Sequence, residues 1–190
     1  MKSLMLVAVF AVVSASTNAL VDQESWPKLN AGEVKTVEDV SQVPTLARNA
    51  AGYPAEVVNS RKVSFTFFQA PHGRNLLIII PCCGANENGA SLFEYSDAGV
   101  KPVALSVGDP REGFVAQNHA DAIHVEPGAK TLRARIGFAD CETGVWSYYY
   151  RFDEADRPVL LSAIDTSCEH LGVRELYRAK NSDLGHWWMH

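Results

Sequence analysis

Beyond its first twenty residues the chain lacks any apolar run long enough to cross a bilayer, so no stable membrane span is expected. It also lacks a Lys/Arg cluster. The 17 basic residues are scattered against 22 acidic ones, for a net charge of −5, and no basic stripe stands out along the sequence. A nucleic-acid partner is therefore not expected. No Gly-x-Ser-x-Gly elbow occurs, which removes the commonest strand-to-helix nucleophile turn. No phosphate-cradling Gly-rich loop occurs either, so the letters "DEAD" at residues 153–156 are no helicase box. Cysteine is scarce, four residues in all, and none of them sits in a C-x-x-C pair of the redox or zinc type. No Asn-x-Ser/Thr acceptor is present, which fits a bacterial envelope origin.

What is present begins with a leader. Lys2 supplies a positive charge, Leu4 to Val13 form a short apolar run, and small polar residues lead to Ala19. This is the pattern of a secretory signal peptide over residues 1–19, cleaved near Ala19, and it implies a periplasmic or secreted protein. No cysteine lies near the cleavage site, so a lipid anchor is not expected. Losing Lys2 leaves 16 basic and 22 acidic residues, a net charge of −6 on a mature chain long enough for one domain with a real core.

Residues 20–60 read as an irregular N-terminal arm. Within it "VPTLARNAAG" predicts a short helix, with Pro44 in its first turn and Gly52 at its end. From residue 61 to 180 short β-branched and aromatic runs alternate with Gly/Pro/Asn/Asp turns. Strands are expected over Val63–Gln69, Leu76–Cys82, Ser91–Tyr95, Pro102–Val107, near Phe114 and Ile123, and over Leu132–Phe138, Val145–Phe152, Val159–Ile164 and Val173–Arg178. Helix-length periodic segments are missing between them. The fold class is therefore all-β, an antiparallel meander forming a sandwich or barrel behind a short helical arm. Residues 181–190 form a C-terminal tail.

The strand pattern places the cysteines. A hairpin turning between Glu154 and Ala155 sets Trp146 opposite Ala163 and Cys141 opposite Cys168. Directly opposed Cβ atoms lie about 4.5–5.5 Å apart, close enough for a disulfide after slight adjustment. In a secreted chain such a Cys141–Cys168 bond contributes roughly 3–4 kcal/mol through loop closure. The same register puts Trp146, Tyr148, Tyr150 and Phe152 on one face with Val159, Leu161 and Ala163, which reads as core. Tyr149, of opposite parity, is expected to tolerate polar replacement. A second hairpin, turning at His72-Gly73, sets Cys82 opposite Val63 and beside Ile80. Cys82 and Cys83 stay unassigned: two plain thiols, a strained vicinal bond, or exchange with the other pair.

Few residues suggest chemistry. His119 and Asp121 in "QNHADAIHV" have the types of a base and its orienter, without an identified nucleophile. His186 and His190 share one helix spacing in the tail but have no neighbouring carboxylate, so no metal site is expected. Trp187 and Trp188 read as docking residues for the tail. No catalytic residue and no cofactor are assigned.

Four stretches carry a family likeness: "IIIPCCGANEN", "IGFADCETGVWSYYYRF", "TSC" and "RELYRAK". With them, residues 76 to 180 resemble the C-terminal part of an exported bacterial family, domain of unknown function 1176. The chain departs from that pattern by one residue in the Pro-Cys turn and by Glu142 where Gly is usual. The resemblance implies export and disulfides and brings no activity. The expectation is a monomeric, non-enzymatic binding domain of the bacterial envelope, in its sharpest form an inhibitor or immunity protein against an exported hydrolase. A small envelope hydrolase and a purely structural envelope protein are the alternatives. The expected partner is an envelope or secreted protein.

Overall fold

Turn residues cut the chain into thirteen strands and one short helix in a computed structural model, which describes residues 25–52, 63–81, 89–108, 112–138, 141–166 and 173–180. The first sheet has the order β1 (Val34–Val37), β2 (Ser64–Gln69), β3 (Asn75–Ile80), β4 (Ala90–Ser96), β5 (Gly99–Pro102), every neighbour antiparallel. A two-stranded ribbon follows, β6 (Leu105–Val107) with β7 (Val115–Gln117). The expected Pro102–Val107 strand is thus split. Pairing with β4 runs to Pro102, with one further bond from the Val103 N–H to the Leu92 carbonyl at 3.0 Å, and the chain then pairs β7 from Leu105. β8 (His119–Ala120) returns to pair β4. The second sheet runs β9 (Ala122–Val125), β10 (Thr131–Phe138), β11 (Cys141–Phe152), β12 (Pro158–Asp165), β13 (Arg174–Arg178), again consecutive and antiparallel.

The two sheets meet over one core. Phe68, Leu76, Ile78 and Leu92 of the first sheet pack with Leu132, Ala134, Tyr148, Tyr150 and Ala163 of the second. The aromatic stripe is core, as its period of two implies. Tyrosine rather than phenylalanine is needed there because β6 has only one strand neighbour. The Tyr150 hydroxyl donates to the Ser106 carbonyl at 2.9 Å, and the Gly108 N–H donates to the Tyr148 hydroxyl at 3.1 Å. Burial, with Tyr148 beside it, pushes the Tyr150 phenol well above its ordinary range, so it stays a donor.

The registers differ from expectation by small, consequential steps. Phe152 lies opposite Pro158 rather than Arg157, so the turn is one residue longer than the one expected. A bulge near Leu161 then shifts the pairing again, giving Tyr150 opposite Leu160, Tyr148 opposite Ala163 and Trp146 opposite Asp165. Leu160 and Ala163 share the core face with Tyr148, whereas Val159 is 39% exposed. Tyr149 is only 8% exposed, so its face is not open to solvent as expected. The first hairpin is shifted the other way, with Ser64 rather than Phe65 opposite Ile80. Both registers used to place the cysteines are thereby corrected. Cys82, Cys83 and Cys168 lie outside the described residues; the Cys141 backbone opens β11 opposite Phe138, and its side chain also lies outside them. The leader and the tail with His186 and His190 lie outside as well.

The arm does more than precede the domain. β1 adds an edge strand to the first sheet, and α1 (Thr45–Ala50) follows Pro44, with Gly52 in a left-handed conformation (φ 73°) just beyond its end. Val37, Val43 and Ala47 cover the outer face of that sheet over Phe65, Phe67, Leu77, Ile79 and Tyr95. Trp26 stacks on Tyr95 with ring centroids 4.7 Å apart. A sheet buried on both faces explains why β3 reads Leu-Leu-Ile-Ile-Ile without alternation. Tyr95 is buried with its hydroxyl unpartnered, and burial pushes its pKa up to about 12.

Gly89 marks the tightest approach of β8. A Cβ there would lie 2.4 Å from the Ala120 carbonyl oxygen. Gly89→Ala is expected to cost about 1–3 kcal/mol by forcing the two backbones apart. A urea titration would measure it; an unchanged midpoint would show that β8 shifts freely.

Candidate functional site

His119 and Asp121 are not brought together. The chain leaves the first sheet at Ala120 and enters the second at Ala122, so Asp121 stands at the crossing. Its carboxylate accepts from the Gly137 N–H, beside the register shift at the end of β10. That bond ties β10 to the crossing and explains the carboxylate without chemistry. His119 is exposed, and it lines a small cleft of about 200 Å³ with Ala50, Ala51, Ile79, Ser91 and Phe93. Among the described residues no hydrogen bond joins His119 to Asp121. No group of three or more His, Cys, Asp or Glu side chains there has the arrangement to hold a metal ion.

A larger cleft of about 450 Å³ lies where two hairpin turns meet, between His72 and Arg74 on one side and Glu154 to Arg157 on the other. Most of its charges are already paired, the exposed Glu154 aside. Asp156 is 1% exposed in a left-handed conformation, φ 53°, which aspartate tolerates better than most residues. Its carboxylate accepts from the N–H of His72 at 3.0 Å and of Arg74 at 2.9 Å. Arg74 donates back to the Asp156 carbonyl at 3.2 Å and pairs with Glu94 at 2.6 Å. Asp153 orders its own turn by accepting from the N–H groups of Ala155 and Arg157 and from the Arg157 side chain. The backbone N–H of Arg157, and then its guanidinium, hold the Asp153 carboxyl below its usual range. Two acids of the "DEAD" string therefore build a clasp between the sheets.

The outer face of the second sheet is different. One residue from each strand forms a row, His124, Arg133, Tyr149, Ser162 and Arg178, each directly opposite the next. Ala122, Arg135, Ser147, Ile164 and Glu175 form the adjacent row, and Arg151, opposite Thr131, lies on the other side. Arg178 is bonded to Glu175. Among the described residues, Arg133, Arg135 and Arg151 have no acidic partner within salt-bridge distance. Arg135 and Arg151 are exposed, whereas Arg133 is half-buried and its Nε has no acceptor. Ser162, 1% exposed, also has an unmet hydroxyl.

Partial desolvation, then the charges of Arg133 and Arg135, lower the His124 pKa, against a smaller upward pull from Glu126. The unfolded chain thus takes up this proton first as pH falls. Stability from neutral His124 is complete above the ordinary histidine range and declines as pH drops through about 6.5 towards the lowered value. Wild type is therefore expected to lose melting temperature relative to His124→Gln between about pH 7 and pH 5. Parallel melting curves for the two proteins would remove the effect.

This face was hidden in the linear order. Arg133-x-Arg135 and Arg151 lie on different strands, 16 residues apart at the nearest. Only their common parity with Tyr149, across paired strands, reveals a basic stripe in an acidic chain. The chain is matched by no family model, no curated protein and no solved structure.

Proposed function

We propose that this chain is an exported protein of the bacterial envelope, periplasmic or secreted, that acts as a non-enzymatic binding domain through the outer face of its second sheet. Its sharpest form is an inhibitor or immunity protein against an exported hydrolase. The observation that carries this reading is the set of three arginines without acidic partners on one sheet face of a chain with net charge −5. Charges at the turn cleft are instead spent on the fold. Uncompensated arginines beside a tyrosine have the composition of an interface centre rather than of a solvated surface. The leader supports export, and no helix among the described residues is long and apolar enough to cross a membrane.

The test pairs the mature wild type with Arg135→Glu/Arg151→Glu. Both are immobilised, exposed to periplasmic extract and eluted with salt. The reading expects a partner retained by wild type and lost by the double variant. Equal retention by both, or by neither, would overturn it. N-terminal sequencing of the exported chain is expected to begin near Leu20.

A further inference from the structure

We propose that the β9–β11 half of this face docks a carboxylate-rich surface of another protein. The inference rests on the binding-domain reading and names the chemistry of the partner. Arg133 and Arg135 are two residues apart on one strand, hence about 7 Å, and Arg151 projects from the next strand, diagonal to Arg133. The three positions run along a diagonal of the sheet, with Arg133 between the other two and His124 directly opposite it.

Guanidinium groups distinguish this diagonal from a diffuse basic patch. No lysine takes part: β10 and β11 carry none. Arginine offers Nε and Nη as a planar fork that fits a carboxylate in two parallel bonds. Arg135 and Arg151 are exposed, so their forks are open to such a pairing, whereas the Arg133 Nε is buried.

Whole-molecule charge selects among anions. A mature chain of net charge −6 is repelled at long range by an extended flat anionic surface such as a bilayer, which faces much of the molecule at once, whereas a flexible carboxylate chain can engage the arginines alone. A folded protein with a confined acidic patch escapes most of that repulsion while supplying the local attraction. Among the described residues the face has no protruding aromatic side chain of the kind that anchors a protein in a membrane, and its most exposed large apolar side chain is Val159, at 39%.

The experiment uses the full mature chain and two probes, soluble poly-L-glutamate and phosphatidylglycerol vesicles. Wild type is expected to bind poly-L-glutamate with an affinity that falls as salt rises, and to bind the vesicles weakly or not at all. Arg135→Glu/Arg151→Glu is expected to weaken poly-L-glutamate binding by at least about tenfold. Both residues are exposed, so the fold is expected to survive. Lys35→Glu/Lys101→Glu makes the same change in net charge on the first sheet and is expected to leave binding within about twofold. Arginine-dependent binding to vesicles but not to poly-L-glutamate would overturn the protein partner and leave the binding face standing. Equal loss in the lysine control would reduce the effect to net charge and overturn the proposal. If the arginine variant matches wild type on both probes, the face itself is refuted along with the inference.

Discussion

Tyr150→Ala is expected to destabilise the protein by roughly 3–5 kcal/mol, the range for truncating a fully buried aromatic side chain. The ring is 0% exposed and packs in the core shared by the two sheets. Its loss removes apolar contacts and also the donor to the Ser106 carbonyl. Tyr150→Phe separates these contributions. It keeps the ring and removes only the hydrogen bond, for about 1–3 kcal/mol, because the carbonyl is left without its partner. The measurement is a urea titration of the three proteins. Alanine and phenylalanine variants of equal stability would mean that the hydroxyl, not the packing, carries the residue. A phenylalanine variant as stable as wild type would mean that β6 finds water or another donor.

Asp156→Ala is expected to cost roughly 2–4 kcal/mol although it removes little apolar contact. Two N–H groups of the facing turn lose a charged acceptor, and alanine must then hold a left-handed conformation that costs about 1 kcal/mol. Asp156→Gly relieves the backbone but not the lost bonds, and Asp156→Asn keeps one acceptor oxygen and tolerates the conformation. The expected order of stability is wild type, Asn, Gly, Ala. Should glycine equal wild type, the clasp contributes nothing and the residue is there only for its backbone.

Much of the fold was legible in the sequence because turn chemistry is local. The helix at Thr45–Ala50, the strands and their antiparallel class follow from Pro44, Gly52 and the punctuating turns. The core parity of Tyr148 and Tyr150 follows from period two. Register was less legible. The bulge near Leu161 leaves no mark in "PVLLSAID", since Leu160 and Leu161 are equally apolar and either suits the core face. β1 was missed because Val-Lys-Thr-Val is too short to signal a strand until its partner β2 is known. The candidate face was missed for the same kind of reason. Its arginines become neighbours only through the pairing of β10 with β11, which no linear window contains.

The second sheet is a meander of consecutive strands, and that arrangement sets the order of folding. Every ladder within the second sheet joins neighbours in sequence, so each closes a short loop at small entropic cost. The clasp between His72 and Asp156 is the opposite case, its partners 84 positions apart in sequence. A contact of such long range gains nothing until both sheets exist, so it belongs to the late side of the folding barrier. Its removal in Asp156→Ala is expected to accelerate unfolding while leaving the refolding rate nearly unchanged. The carboxylate then acts as a latch on the lifetime of the native state more than as a guide to reaching it.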